Sequence, residues 1–194
     1  HGGSYIIIPQ DKRMNVESFT LQAYIFPTTP DIGKQGILTK WNETNESGYG
    51  LFVDEDGCLW GDNTDGVGFI ESLRNNVPNL HFSDCKPVVL GAGGAARAIV
   101  ASLQDAGVPE IQLANRTLKR ANALARDLQG DIKVLPWEEV LDALQNANIL
   151  INTTSLGMTG HDSLHLDFSS LPSSILVTDV VYNPLMTPIL IQAS

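Results

Sequence analysis

Between Val88 and Thr117 an apolar strand runs into Gly91-Ala92-Gly93-Gly94-Ala95-Ala96-Arg97-Ala98, and a helix and a second strand then lead to Asn115-Arg116-Thr117. A dinucleotide site needs a glycine at its tight turn, supplied by Gly91. It needs a second where backbone approaches the pyrophosphate, Gly93, and a small residue where helix packs on strand, Ala96. Ala92, Gly94 and Ala95 complete the turn and the start of the helix, whose free N–H groups and positive dipole end favour an anion. About 20 residues beyond such a turn, an NAD enzyme sets an acidic residue against the ribose 2′-hydroxyl. This chain has Asn115, Arg116 and Thr117 there instead. Arg116 can stack on an adenine while its fork, with Arg120 and the Thr117 hydroxyl, holds a 2′-phosphate. The expected cofactor is therefore NADP.

Glycine-rich turns also arise for packing reasons alone, so the elements around this one matter. Val88-Val89-Leu90 reads as a buried strand and Gly94–Asp105 as a helix. The pattern continues with a strand at 110–114, a helix at 118–128, a strand at 132–135, a helix at 137–144, and strands at 148–152 and 175–181. A helix over 65–74, with Val67, Ile70 and Leu73 on one face, precedes them. Strands that are apolar throughout, alternating with short helices, imply a parallel sheet covered on both faces. The expected fold is α/β, a Rossmann-type doubly wound sheet over residues 61–194.

Residues 5–60 follow a different grammar. Ser18–Phe26, Gly36–Trp41 and Tyr49–Val53 are short, partly alternating and rich in β-branched or aromatic residues, which predicts an antiparallel β segment. Asp54-Glu55-Asp56-Gly57 reads as a hairpin turn, with a calcium site as the other use of the same acids. Trp41, Tyr49 and Phe52 fit either a core or a sugar-stacking surface. An incomplete sheet leaves edges, so a homodimer through this segment is expected. His1-Gly2-Gly3-Ser4 looks like a tag-and-linker remnant, and Ser194 falls within an apolar, helix-like stretch, so a fragment is expected.

The 194 residues carry a net charge of −10 and only twelve lysines and arginines. That balance argues against nucleic acid or an anionic membrane as partner. It also makes the crowding of Arg116, Lys119 and Arg120 into five positions notable, either as a solvated helix start or as an anion site. Cys58 and Cys85 form no metal-ligand pattern, no metal is expected, and both are read as free and structural. There is no long apolar run and no leader pattern in the first twenty residues, so a cytoplasmic protein is expected.

Five segments together, GDNTDGVGF (61–69), VVLGAGGAARAIV (88–100), ANRTLKRANALA (114–125), LINTTSLGM (150–158) and DVVYNPLMTPIL (179–190), resemble the cofactor-binding half of shikimate dehydrogenase. The resemblance spans roughly residues 57–192. The NADP domain of glutamyl-tRNA reductase shares the glycine turn and the NRT segment but is not expected to carry the flanking motifs. The resemblance implies an NADP-dependent oxidoreductase reducing 3-dehydroshikimate to shikimate. It makes Asp65 the catalytic aspartate, working beside a lysine, although the same residue at a helix start reads equally as an N-cap. It places Asn152, Thr153, Thr154, Ser155, Leu156 and Gly157 along the nicotinamide side and Val180 beside the nicotinamide. Tyr182 becomes a substrate contact, against a plain reading as a loop tyrosine packed on Pro184.

Residues 1–56 contain no counterpart of the Asn-Val-Thr-x-Pro-x-Lys motif that carries the lysine of this family, and neither Lys34 nor Lys40 lies in such a motif. Instead, 18–30, 35–41 and 48–59 resemble part of a laminin-G or concanavalin-like jelly roll. The sequence thus suggests a chimera joined near Asp56–Leu59, with weak or absent catalysis. A non-catalytic binding or assembly module is the alternative function.

Overall fold

The computed structural model of the chain describes residues 35–42, 47–53, 56 and 58–194. The strand expected at 18–26, Lys34, the first four residues and most of the 54–57 turn lie outside the described residues. Three strands open the described part: β1 (Gln35–Asn42), β2 (Ser47–Val53) and β3 (Leu59–Asn63). They form an antiparallel sheet in the order β1-β2-β3. Val53 stands opposite Leu59 and Tyr49 opposite Asn63, the pairing that a hairpin turn between them requires. β3 runs three residues past the division expected at 60/61, so the start of GDNTDG belongs to the antiparallel sheet.

From Asp65 onward the elements alternate. α1 (Asp65–Asn76) is followed by β4 (Pro87–Leu90), α2 (Gly94–Asp105), β5 (Ile111–Ala114), α3 (Leu118–Leu128) and β6 (Ile132–Leu135). Then come α4 (Val140–Leu144), β7 (Ile149–Asn152), β8 (Leu176–Asp179) and α5 (Pro188–Ala193). The five later strands are all parallel, in the order β6-β5-β4-β7-β8. The strand order therefore reverses between β4 and β7, and ligands of such sheets bind at the carboxyl ends of strands flanking that reversal.

The two central strands are buried over their whole length. Their side chains alternate between two apolar layers, as a period of two demands. Val89, Ile149 and Ile151 join Ile99, Leu103, Ile111 and Leu113 in one layer. Val88, Leu90 and Leu150 join Leu135, Val140, Leu144 and Ile189 in the other. Burying one such side chain stabilises by roughly 1.5–3 kcal/mol, so these layers dominate the energetics of the unit.

Two expectations are corrected. Val67 does not lie on the packed face of α1: it is 60% exposed, while Gly66, Ile70 and Leu73 are buried. The reason is a close helix crossing, because a Cβ at Gly66 would collide with the Ala98 carbonyl oxygen and the Ser102 hydroxyl of α2. The helix expected at 137–144 is also shorter. Trp137–Glu139 forms a 3₁₀ turn after Pro136, and α-helical geometry begins at Val140.

Candidate functional site

Gly91 leaves β4 with φ +111° and its N–H donates to the Ala114 carbonyl, 2.8 Å away, tying the turn to the end of β5. An L side chain is strained at that angle. A Cβ there would also come within 2.6 Å of the Thr153 hydroxyl and 3.2 Å of the Thr154 methyl, from the loop after β7. The glycine thus lets two loops meet at the point of strand reversal. Gly93 takes the N-cap position of α2 in extended geometry and has no side chain with which to cap. A Cβ at Gly93 or Gly94 would touch nothing within 4 Å. Open space therefore lies over the helix start, where first-turn N–H groups lack intrahelical acceptors. Ala92 and Ala95 are half-buried beside it, and Ala96 is fully buried.

The end of β5 presents the cations. Asn115 donates through Nδ2 to the Thr117 carbonyl at 3.0 Å, which folds the segment back toward α3. Arg116, Thr117, Lys119 and Arg120 are exposed. Among the described residues, neither Arg116 nor Arg120 enters an ion pair, whereas Arg97 and Arg74 do, with Asp127 at 2.7 Å and Glu71 at 2.6 Å. Among the described residues the arginines placed for an anion are thus uncommitted, as is Arg126 in the last turn of α3. That arrangement fits a cofactor bearing a 2′-phosphate, with its pyrophosphate over Gly93 and Gly94.

The loop after β7 is built differently. Thr153 donates to the Leu90 carbonyl through both N–H (2.8 Å) and hydroxyl (2.6 Å), fixing the loop to β4. Asn152, fully buried, accepts at Oδ1 from the Thr154 N–H (3.1 Å) and hydroxyl (2.7 Å). Its Nδ2 donates to the Leu156 carbonyl at 3.2 Å and to Asp179 Oδ1 at 3.0 Å. The Leu156 N–H returns to the Thr154 hydroxyl at 3.1 Å. Ser155 stays exposed at the tip. Val180 joins the same cluster, its N–H donating to the Asn152 carbonyl at 3.0 Å.

The structure therefore brings together the glycine turn, Asn115–Arg120, residues 152–156 and Val180. Asp65 and Tyr182 are carried by other elements. Asp65 is exposed at the first residue of α1; Thr64 holds the N-cap position, so the N-cap reading of Asp65 is not what the fold adopts. Tyr182 is 85% exposed, which sets aside the reading as a tyrosine packed on Pro184. Sequence reasoning missed Asp179 and Thr187. The buried Thr187 hydroxyl donates to Asp179 Oδ2 at 2.7 Å. The only trace of this pairing in the sequence is an Asp at one strand end and a Thr before a proline, each unremarkable alone.

Cys85 is a buried free thiol. Burial, and secondarily the Asp84 carboxylate, push the Cys85 thiol above its ordinary value, whereas Cys58 is exposed and does not fit a packed role. Among the described residues no group of three or more His, Cys, Asp or Glu side chains is placed to hold a metal, and no helix is long and apolar enough to cross a membrane.

Residues 72–161 match the family model described as shikimate / quinate 5-dehydrogenase. The "Shikimate dehydrogenase (NADP(+))" of Paramagnetospirillum magneticum is 51% identical over 144 residues, 74% of this chain and 52% of that protein. The enzyme of the same name from a Cereibacter sphaeroides strain is 44% identical over 162 residues, 84% of this chain and 58% of that protein. Among solved structures, quinate dehydrogenase from Corynebacterium glutamicum in complex with NAD superposes with a TM-score of 0.65 at 30% identity, covering 75% of this chain and 53% of that one. Shikimate 5-dehydrogenase from Thermus thermophilus in complex with NADP(H) and shikimate gives 0.60 at 33%, covering 75% and 52%.

A stretch covering 162 of 194 residues must begin at or before residue 33. Similarity to the dehydrogenases thus reaches past residue 57, across β1 and β2, into the segment likened to a jelly roll. The family-model match, by contrast, stops short of Asp65 and Tyr182. The chain spans about half the length of the relatives it matches. Over its α/β part, in sequence and in fold alike, it is similar to the NADP-binding domain of the shikimate / quinate 5-dehydrogenases.

Proposed function

We propose that the described α/β unit binds NADP(H) and serves the cofactor half of a shikimate dehydrogenase-type oxidoreductase, which interconverts 3-dehydroshikimate and shikimate. The observation that carries this reading is the open space over Gly93 and Gly94 beside Arg116 and Arg120, which have no ion-pair partner among the described residues. When bound, the nicotinamide supplies or accepts the hydride. The chain's own residues do the rest. The N–H groups of Gly94 and Ala95 take the pyrophosphate, and Arg116, Arg120 and Thr117 take the 2′-phosphate, with Asn115 shaping their segment. Thr153, Thr154, Ser155, Leu156 and Val180 border the nicotinamide. Asp65 holds or moves the substrate proton, and Tyr182 contacts the substrate from its exposed position.

The names of the relatives, NADP-dependent in every case quoted, support this choice of cofactor. The NAD-bound quinate dehydrogenase shows that the fold alone does not select it. Calorimetry with NADP⁺ and NAD⁺ tests the point: NADP⁺ binds at least about tenfold tighter on this reading, and equal affinities reject it. Reduction of NADP⁺ by shikimate, followed by absorbance, tests the activity. Turnover is expected to be weak, because a proton-transfer group is worth about 10²–10⁴ in rate and residues 1–56 carry no matching lysine motif. Turnover matching that of a full-length relative would overturn this part.

A jelly-roll-like fragment over residues 5–56 and a chimera joined near Asp56–Leu59 remain proposals, and the reach of the Cereibacter sphaeroides match into that segment counts against them. A homodimer is a proposal too: within the described residues β1 and β3 are sheet edges. Light scattering at two concentrations tests it, and a monomer at both rejects it.

A further inference from the structure

We infer that Asp179 is a positioning residue that sets the nicotinamide half of the site independently of the adenosine half; this rests on the cofactor reading above. Its carboxylate is shared among three donors from three places. Oδ1 accepts from Asn152 Nδ2 at 3.0 Å and from the Val181 N–H at 2.9 Å, and Oδ2 accepts from the Thr187 hydroxyl at 2.7 Å. Asn152 passes the constraint on to Thr154 and Leu156. One side chain therefore ties the loop after β7, the 180–182 segment and the start of α5 into a single hydrogen-bonded body. Asn152 and Thr187 are fully buried, so neither can exchange Asp179 for water without exposing itself. None of these bonds reaches the glycine turn or the Arg116–Arg120 segment, which are anchored through Gly91 on Ala114 and through Asn115 on Thr117.

Two substitutions separate this role from bulk stability. Asp179→Ala removes both acceptor oxygens and with them all three bonds. Asp179→Asn keeps an oxygen for Asn152 and Val181 and can donate its amide to Thr187, whose hydroxyl turns to accept. The ligands are NADPH, read by its nicotinamide fluorescence, and adenosine 2′,5′-bisphosphate, which lacks the nicotinamide. In the Ala variant NADPH affinity is expected to fall about tenfold and the fluorescence change to be lost, while the bisphosphate binds within about twofold of the parent. The Asn variant is expected to restore both. Amide hydrogen exchange on the ligand-free proteins gives an independent readout: in the Ala variant the N–H groups of Thr154, Leu156 and Val181 exchange faster, and that of Gly91 does not.

Unchanged exchange at 154–156 in the Ala variant overturns the inference, as does equal loss of both ligands. If the parent protein binds neither ligand, the cofactor reading fails, and the exchange data still decide whether Asp179 holds the two loops together.

Discussion

The two loops that meet at the strand reversal are built on opposite terms. The turn after β4 offers almost no side chain: glycine and alanine line it, its helix start lacks a capping side chain, and the arginines across from it have no ion-pair partner among the described residues. The loop after β7 is polar and closed on itself, with Asn152, Thr153 and Thr154 satisfied within the protein. A phosphate is recognised by backbone N–H groups that stand ready with little to desolvate. A flat, weakly charged ring offers no such handle, so its side of the site must be shaped in advance by internal bonds. One loop waits for its ligand; the other is finished without it.

The largest effect that would break this contrast is a carboxylate in the open turn. Gly93→Asp places a negative group where the pyrophosphate belongs, and cofactor affinity is expected to fall more than about a hundredfold by calorimetry. The melting temperature should hold or rise slightly, because Asp is a favoured N-cap. A retained affinity would show that the turn is packing alone. Next, Arg116→Ala with Arg120→Ala removes charge-assisted bonds from two exposed side chains, worth together about 2 kcal/mol or more. NADP⁺ affinity should drop by about 30-fold or more while that for NAD⁺ changes less than about threefold, and parallel losses would move the 2′-phosphate elsewhere.

On the closed side, Asn152→Ala strands partners that are already buried and should lower unfolding stability by about 1–3 kcal/mol in urea titration. The preference for NADP⁺ over NAD⁺ should persist. A stability unchanged by this substitution would deny that the loop is held from within. The smallest effect is expected at Arg97, whose bond to Asp127 joins α2 to α3 with both side chains about half exposed. Arg97→Gln should cost less than about 1 kcal/mol in the same titration, and less still in high salt.

The same contrast explains what the sequence disclosed. The glycine turn is local: its residues are contiguous, and each acts through backbone, so spacing alone revealed it. The β4, α2, α3 and β6 spans were legible for a similar reason, being short and strongly patterned. The Asp179 junction is not local. Its partners lie 27 residues upstream and 8 downstream, and nothing in an Asp or a Thr announces which neighbour the fold will supply. Val67 failed as a core residue because periodicity leaves the exact face of a helix open by one position, and the crossing at Gly66 chose the neighbouring stripe. The 137–144 helix was overextended because its apolar pattern continued through a turn that Pro136 sets in tighter geometry.

The missing side chain at Gly66 bears on its neighbour Asp65. With only a hydrogen at that contact, α1 rests on the Ala98 carbonyl of α2, a backbone group that no rotamer change can move aside, with the Ser102 hydroxyl beside it. The helix whose start faces the open space thereby serves as the ruler for the carboxylate on α1. A position that touches no ligand sets the reach of one that is proposed to, and a single added methyl would be read out in how far Asp65 stands from α2.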